Sequence, residues 1–308
     1  MNSAIQTESL CKRYGKTAAL DGVDLAVPEG AIYALVGANG AGKTTLIKLL
    51  MNILRPTSGR AHVLGLDSHN VAGKAFNRIG YVSENQEMLD GMTVEAMLDY
   101  NRAFYPRWDR ELERQLVHQF DLPLKRKLKH LSRGMKMKAS FASSLAYRPS
   151  LIVLDEPFTG LDPLVRDELI QGLLDRIGES TLFLSSHDLS EIEGFASHVG
   201  YLEAGRLLFS EEMNVLSGRF RQIEFQAGPG AQPATLPGTW LEVERSGSLV
   251  RFTDSAFMSE EDSATQIAAI FPGANAVTVE PLSLRAIFLA NARTNRDLRA
   301  HSSTGAQA

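Results

Sequence analysis

A glycine-rich segment between two apolar runs constrains the fold of this chain more than any other feature. Residues 37–45 read Gly-Ala-Asn-Gly-Ala-Gly-Lys-Thr-Thr and match the pattern G-x-x-x-x-G-K-[ST]. The apolar run 31–36 predicts a buried strand, and the run 46–51 predicts a helix. A strand, a glycine loop and a helix in this order are the context that a phosphate-binding loop requires.

The chemistry of this loop follows from its residue types. Glycines allow the backbone to wrap closely around a polyphosphate, and the loop N–H groups and the helix N-terminus then face its negative charge. Lys43 is predicted to reach the outer phosphates, and Thr44 to offer its hydroxyl to Mg²⁺. The alternative is a glycine-rich turn that only opens a helix, and the match at both flanks argues against it. The predicted nucleotide contacts are Gly37, Ala38, Asn39, Gly40, Ala41, Gly42, Lys43, Thr44 and Thr45.

Composition and charge argue against several other classes of protein. The chain has 308 residues, and its net charge of −4 gives no electrostatic argument for nucleic acid. A dense basic run at 125–130 is interpreted as a solvated face. A single cysteine, Cys11, suits a reducing cytosol. The N-terminus lacks the features of a secretory signal, and no apolar run approaches the roughly 20 residues that span a bilayer, so we expect another chain to cross any membrane.

The order of the remaining elements predicts a mainly parallel α/β sheet covered on both faces. Residues 151–154 and 181–186 form two further short apolar runs, each typical of a buried strand. Residues 88–146 carry apolar and charged side chains at helical spacing, whereas residues 1–30 indicate short strands with a turn. Strands that alternate with helices favour parallel pairing.

The pattern of residue types in the chain changes after about residue 220. Residues 221–291 are interpreted as a small α+β appendage, and residues 292–308 as a disordered tail because they are polar and weakly patterned. The predicted elements of the appendage are a hairpin about residues 245–248, a helix over 259–271, a strand over 276–279 and a helix over 284–292.

Two carboxylates follow the strand at 151–154. A carboxylate at the C-terminal end of such a strand lies where α/β sheets bind ligands. Asp155 is predicted to orient Mg²⁺ and its water, since Mg²⁺ is held by a few carboxylates together with substrate oxygens. Glu156 is then placed to polarise an attacking water. Taken without the glycine loop, the same pair is equally well explained as a solvated strand end.

The segment Leu131-Ser132-Arg133-Gly134-Met135 indicates a family. Together with the glycine loop, the Asp-Glu pair and His187, in this order, it makes the chain resemble the ATP-binding subunits of ABC transporters over roughly residues 3–220. The family signature is Leu-Ser-Gly-Gly-Gln, from which Arg133 and Met135 depart. The resemblance implies a P-loop NTPase core with an antiparallel β subdomain and a helical subdomain over about 88–146, within an ATPase domain of residues 1–220.

The resemblance also implies roles for further residues. Ser132 and Gly134 are expected to contact the γ-phosphate of ATP held by a second ATP-binding subunit, and a helix N-terminus there adds partial positive charge. Asp162 is expected at the dimer interface. His187 is expected to contact the γ-phosphate, and Tyr14 to stack on adenine.

Glu84 stands where the family carries a glutamine that ligates Mg²⁺. A glutamate keeps oxygen ligation and adds a full charge, which changes the local field. This variant resembles the branch that serves ABC-2-type exporters in bacteria.

The resulting functional hypothesis is an ATPase motor subunit that uses MgATP. Two such chains would sandwich two ATP molecules, and integral membrane permease subunits docked near residues 84–105 would be moved by dimer opening. We therefore expect a cytoplasmic protein bound to the inner face of the membrane, with no nucleic-acid partner. The alternatives are a soluble ABC-type ATPase and a regulatory nucleotide-binding protein without a transport role.

Overall fold

The buried strand predicted before the glycine loop is the third strand of the chain, β3 (Ile32–Val36). It lies in a six-stranded sheet of the computed structural model, which describes residues 2–83, 88–175, 180–228, 233 and 235–290. The strand order is β10 (Arg206–Glu212), β9 (His198–Glu203), β3, β8 (Thr181–Ser186), β7 (Leu151–Asp155) and β6 (Ile79–Ser83).

Strands β9, β3, β8, β7 and β6 pair in parallel, which confirms the predicted α/β class. Every residue of β3, β7 and β8 is buried. Such continuous apolar runs are expected of parallel strands that are covered on both faces. The carboxyl ends of β3, β7 and β8 carry the glycine loop, the Asp-Glu pair and His187, so the sheet itself brings these motifs to one edge.

A second, antiparallel sheet packs behind the glycine loop. Its order is β2 (Thr17–Pro28), β1 (Ser3–Tyr14), β4 (Ser58–Val63) and β5 (Leu66–Asp67). Apolar side chains from this sheet, from α1 (Lys43–Leu50) and from the parallel sheet share one core. The antiparallel β subdomain is therefore present as the family resemblance implies.

Four longer helices complete the first part of the chain, and each begins at a side-chain cap. They are α2 (Val94–Arg102), α3 (Arg110–Gln119), α4 (Arg133–Leu145) and α5 (Pro163–Leu174). The caps are Thr93, Asp109, Ser132 and Asp162, whose oxygens accept from N–H groups of the first turn. Short 3₁₀ helices span Ser68–Asn70, Gly73–Arg78, Leu128–His130 and Leu189–Glu191. No helix in the described ranges is long and apolar enough to cross a bilayer.

The chain divides into two units, Met1–Ser210 and Glu211–Ala308. The second contains a four-stranded antiparallel sheet in which the hairpin turns at Gly247, with φ of 63°. Trp240 stacks on Phe252, with ring centroids 4.0 Å apart, at the centre of its core. The elements are α6 (Met213–Arg219), β11 (Arg221–Gln226), β12 (Trp240–Ser246), β13 (Leu249–Asp254), α7 (Glu260–Ile270), β14 (Asn275–Pro281) and a helix over 284–290.

The predicted hairpin, helix and strand of the appendage are thus present. The predicted tail 292–308 lies outside the described residues, as does Glu84. The domain boundaries after residues 220 and 291 stay predictions.

Candidate active site

Close backbone contacts explain why glycine stands at two positions of the loop. A Cβ on Gly37 would lie 2.2 Å from the carbonyl oxygen of Leu202 in β9. Gly42 has φ of 111°, and its Cβ would lie 2.5 Å from the carbonyl oxygen of Ala19 in β2. Any side chain at either position would displace backbone, and at Gly42 the left-handed conformation adds its own penalty. Both sheets therefore hold the loop in place.

The loop borders a cavity of about 250 Å³. This volume is smaller than the roughly 300–1,000 Å³ of pockets that enclose whole ligands, and it suits the phosphate tail of a nucleotide better than the complete molecule. The residues that line it are Ala19, Asn39, Gly40, Ala41, Gly42, Lys43, Thr44, Thr45 and Glu156.

Lys43 is buried and all of its hydrogen-bonding capacity is used within the site. Its Nζ donates to the carbonyl oxygens of Gly37 (2.6 Å) and Ala38 (3.2 Å), and it lies 3.0 Å from Oε1 of Glu156. An ammonium has three N–H donors, so these three partners account for all of them. Lys43 can therefore bind a phosphate only by exchanging one of these partners.

Asp155 ends β7 with its carboxylate bound to two hydroxyls. Thr44 Oγ1 donates to Asp155 Oδ1 at 3.0 Å, and Ser185 Oγ donates to the same oxygen at 2.8 Å. Burial raises the pKa of Asp155 above its ordinary value, and the two hydrogen bonds oppose this effect. The loop hydroxyl and the strand carboxylate together form a pair of hard oxygen donors.

Glu156 lies at the meeting point of the predicted catalytic groups. Its Oε1 faces Lys43, while Oε2 accepts from Thr159 Oγ1 at 3.0 Å and lies 2.7 Å from His187 Nδ1. Burial raises the pKa of Glu156, but the hydrogen bonds from His187 and Lys43 and the charge of Lys43 outweigh it, so the pKa lies below its ordinary value. The carboxylate is therefore ionised at neutral pH.

The backbone of Glu156 is strained, with φ of 51°. A left-handed conformation costs a non-glycine residue about 1–2 kcal/mol. Its N–H donates to Ser185 Oγ at 3.0 Å, and this bond helps to hold the conformation. Strain of this kind is typical of functional sites.

A buried polar group anchors the turn that carries His187. Ser186 Oγ lies 2.6 Å from Glu191 Oε2 and accepts from the N–H of Asp188 at 3.0 Å. Burial raises the pKa of Glu191. The carbonyl oxygen of Ser186 also accepts from the N–H of Gly37 at 3.3 Å, which ties this turn to the start of the glycine loop.

The signature segment opens α4, away from the residues that line the phosphate-loop cavity. Ser132 Oγ accepts from the N–H of Met135 at 3.2 Å and caps the helix. A Cβ on Gly134 would lie 3.0 Å from Val165 of α5, so glycine allows the two helices to approach closely. The sulfur of Met135 lies 3.9 Å from the Arg126 guanidinium.

The remaining predicted site residues that the structure describes are Asp162 and Tyr14. Asp162 caps α5 by accepting from the N–H of Val165 at 3.1 Å. Tyr14 ends β1 with its ring half exposed, and Lys12 Nζ lies 5.3 Å from the ring centroid. The structure thus brings Lys43, Thr44, Asp155, Glu156 and His187 together, whereas Tyr14, Ser132, Gly134 and Asp162 lie outside this cluster.

The motifs alone did not identify three residues that hold the cluster together. Ser185 bridges the Asp155 carboxylate and the backbone N–H of Glu156, Thr159 donates to the Glu156 carboxylate, and Glu191 anchors the His187 turn. A signal for Ser185 was available, because two serines end a fully buried strand in which the three preceding residues are apolar. A serine hydroxyl without a hydrogen-bond partner would be energetically unfavourable at such a buried position.

The fold and this cluster define a P-loop nucleoside triphosphatase of the ATP-binding cassette type. The model of the family described as ABC transporter matches residues 20–159. The chain is 33% identical to the bacitracin transport ATP-binding protein BcrA of Bacillus licheniformis, over 73% of this chain and 76% of BcrA. It is 35% identical to the daunorubicin/doxorubicin resistance ATP-binding protein DrrA of Streptomyces peucetius, over 67% of this chain and 64% of DrrA.

A solved structure described as the ATP-binding subunit of an ABC transporter superposes with a TM-score of 0.65 and 26% identity, over 70% of this chain and 92% of that one. The chain therefore belongs to the ABC transporter ATP-binding proteins. The family resemblance indicated by the motifs is confirmed, and the chain is an ATP-binding, ATP-hydrolysing transporter subunit. These relatives support a transport role and not the soluble or regulatory alternatives.

Proposed function

We propose that the cluster around Glu156 hydrolyses MgATP, with Glu156 as the general base, and that this drives export through separate membrane subunits. The convergence of Lys43, Thr159 and His187 on one carboxylate is the observation that carries the proposal. A carboxylate held by three donors next to a phosphate-binding loop is positioned before substrate arrives, and positioning is the main contribution of a protein to phosphoryl transfer.

The residues present fit a magnesium ion. Thr44 Oγ1 and Asp155 Oδ1 are hydroxyl and carboxylate oxygens 3.0 Å apart, and Mg²⁺ prefers such ligands together with substrate phosphates. When bound, the ion would neutralise charge on the outer phosphates. We propose Thr44 and Asp155 as its protein ligands, with Glu84 as a further oxygen donor.

Glu156, His187 and Lys43 each have a role in the proposed hydrolysis. Glu156 accepts a proton from water as the water oxygen forms a bond to the γ-phosphorus, and the bond from that phosphorus to the bridging oxygen breaks, which leaves ADP and inorganic phosphate. The low pKa of Glu156 supports this role, because a base must be ionised before the reaction. His187 orients the carboxylate, and Lys43 exchanges Glu156 for phosphate oxygens.

We propose that a second ATP-binding subunit completes each site. Ser132 and Gly134 lie at a helix N-terminus, which suits contact with phosphate from another chain. Asp162 would lie at the interface between the chains. The half-exposed ring of Tyr14 is free to stack on adenine.

A groove on the helical segment supports docking of a membrane subunit. The groove encloses about 140 Å³, and the apolar side chains that line it are Met88, Leu89, Met92, Met97 and Tyr100. Leu89 and Phe104 are each 60% exposed, and Tyr100 is 50% exposed. Methionine adapts to varied partners, and a short amphipathic helix of a permease fits such a groove. A chain docked in this way would lie on the cytoplasmic face of the membrane. The names of BcrA, a bacitracin transport protein, and of DrrA, a daunorubicin/doxorubicin resistance protein, support a role in export.

The proposal is tested with Glu156→Gln, which keeps the size of the side chain and removes the base. We expect this variant to bind MgATP, to turn it over at least ~100-fold more slowly and to accumulate as a dimer in size-exclusion chromatography with light scattering. Lys43→Ala should lose ATP affinity. Glu261→Gln, on the exposed side of α7, is the matched control and should retain turnover. Full turnover by Glu156→Gln would contradict the assignment of the base.

A further inference from the structure

The guanidinium of Arg133 lies over Gly160. Its Nη1, Cζ and Nε atoms lie 2.9, 3.2 and 3.7 Å from the position that a Cβ of residue 160 would occupy. Three atoms of one planar group at these distances mean that the group covers this face of Gly160. Arg133 is one of the two residues at which this chain departs from the family signature, which has glycine at that position.

Gly160 belongs to the loop that leads from Glu156 to Asp162. Thr159, its neighbour, donates its hydroxyl to Glu156 Oε2 at 3.0 Å, and its N–H donates to the Glu156 carbonyl oxygen at 3.4 Å. Gly160 has φ of 70°, which a residue with a side chain would adopt only at a cost. The loop is thus fixed to the catalytic carboxylate at one end and covered by Arg133 at its centre.

Arg133 is also the first residue of α4, directly after Ser132. Two other contacts join the same helix to α5. Gly134 packs against Val165, and the buried Lys138 forms an ion pair with Glu168. Displacement of the loop 156–162 would therefore be transmitted to the start of α4 through Arg133, while the two helix bodies stay together.

We propose that Arg133 is a positioning residue that couples the two ATP sites of the dimer. The inference rests on the proposed function, in which Glu156 serves the ATP of its own chain and Ser132 faces the ATP of the partner. One chain then connects both sites through Glu156, Thr159, Gly160, Arg133 and Ser132. The glycine of the family signature has no side chain that could make this contact.

The change that starts the coupling is local. When Lys43 leaves Glu156 for a phosphate, the carboxylate keeps Thr159 and His187 as partners, so a shift of the carboxylate displaces the loop through Thr159. Arg133 follows Gly160 because the guanidinium is in van der Waals contact with it.

The test uses the full-length chain and compares Arg133→Ala with Arg126→Ala. Both truncations remove one positive charge near the start of α4, but Arg126 contacts Met135, whereas the three atoms nearest to the Cβ position of Gly160 all belong to Arg133. The readout is the ATP dependence of hydrolysis, together with dimer formation in the Glu156→Gln background. Thermal unfolding confirms that each variant is folded.

For the unmodified chain and for Arg126→Ala we expect positive cooperativity, in which ATP at one site raises affinity at the other by at least ~5-fold. Arg133→Ala should bring this factor close to one while dimers still form. Arg133→Lys, whose stem and cation still reach Gly160, should restore most of it. Cooperativity that survives in Arg133→Ala, or that is absent from the unmodified chain, would overturn the inference. Failure of the Glu156→Gln chain to dimerise with ATP would instead overturn the proposed dimer.

Discussion

Ser185 is the residue whose removal tests most directly how the end of β8 holds the Asp155 carboxylate and the backbone of Glu156. Its single hydroxyl donates to Asp155 Oδ1 at 2.8 Å and accepts from the N–H of Glu156 at 3.0 Å. The side chain is fully buried, so water cannot replace it. Ser185→Ala removes both bonds and leaves the backbone of each strand unchanged.

The size of the effect follows from these two bonds. A hydrogen bond to an ionised group contributes about 1.5–3 kcal/mol, and a buried N–H without a partner costs about 1–3 kcal/mol. We therefore expect Ser185→Ala to lower the free energy of unfolding of the first unit by about 2.5–6 kcal/mol. Ser143→Ala is the matched control, because Ser143 accepts one neutral hydrogen bond, from Asn101 Nδ2 at 2.9 Å, and is only partly buried. It should cost about 0.5–1.5 kcal/mol.

Urea unfolding followed by tryptophan fluorescence measures both losses. Trp108 lies in the first unit and Trp240 in the second, so a Trp240→Phe background makes the signal specific to the first. A loss for Ser185→Ala no larger than that for Ser143→Ala would refute the reasoning, because the bridge from Asp155 to the Glu156 N–H would then contribute no more than one neutral hydrogen bond.

The loss should also depend on pH. Burial holds the pKa of Asp155 above its ordinary 3.8, against the hydrogen bonds from Ser185 and Thr44. A folded-state pKa that is raised means that the folded chain binds more protons than the unfolded chain between the two values, so stability falls as pH rises through that window. Without Ser185 the pKa rises further. The cost of Ser185→Ala should therefore be larger at about pH 7 than at about pH 4.

Two further predictions concern the loop and the groove. Gly40 and Gly42 both have positive φ, but only at Gly42 would a Cβ clash, so Gly40→Ala should cost about 1–2 kcal/mol of stability and Gly42→Ala at least ~1 kcal/mol more, in the same unfolding assay. Equal costs would mean that the contact with Ala19 is unimportant. Tyr100→Glu should abolish co-purification with the proposed permease subunit and leave ATP binding intact, whereas unchanged co-purification would exclude the groove as the docking surface.

The motifs predicted the core of the site because each is tied to a strand end. Parallel pairing of β3 with β8 and of β8 with β7 brings Gly37, Asp155 and His187 to one edge, so strand order and motif order together are sufficient. The contacts of Ser185 and Thr159 could not be predicted in the same way. They depend on which rotamers and carboxylate oxygens face each other, and no periodicity in the sequence encodes that.

The contact of Arg133 with Gly160 is a second case that the motif pattern could not predict. The signature and the loop that follows Glu156 are separate in the chain, and their proximity depends on how closely α4 and α5 pack at Gly134 and Val165. A comparison with the family signature treats Arg133 only as a mismatch. In the structure, the guanidinium of Arg133 lies over Gly160. This residue has no side chain and a positive φ, and it therefore leaves room for the guanidinium.

The ion pair between Lys43 and Glu156 links substrate binding to activation of the base. Lys43 is one of the causes that hold the pKa of Glu156 low, and it has no N–H donor left for a phosphate while its present partners remain. ATP can therefore bind Lys43 only by displacing one of these partners, and the proposed mechanism uses the displacement of Glu156. The carboxylate then loses a neighbouring cation, its pKa rises towards the operating pH, and a base is most effective when its pKa lies near that pH. In the proposed mechanism, the proton acceptor is thus weak until the loop is occupied, and turnover depends on the same exchange that binds the nucleotide.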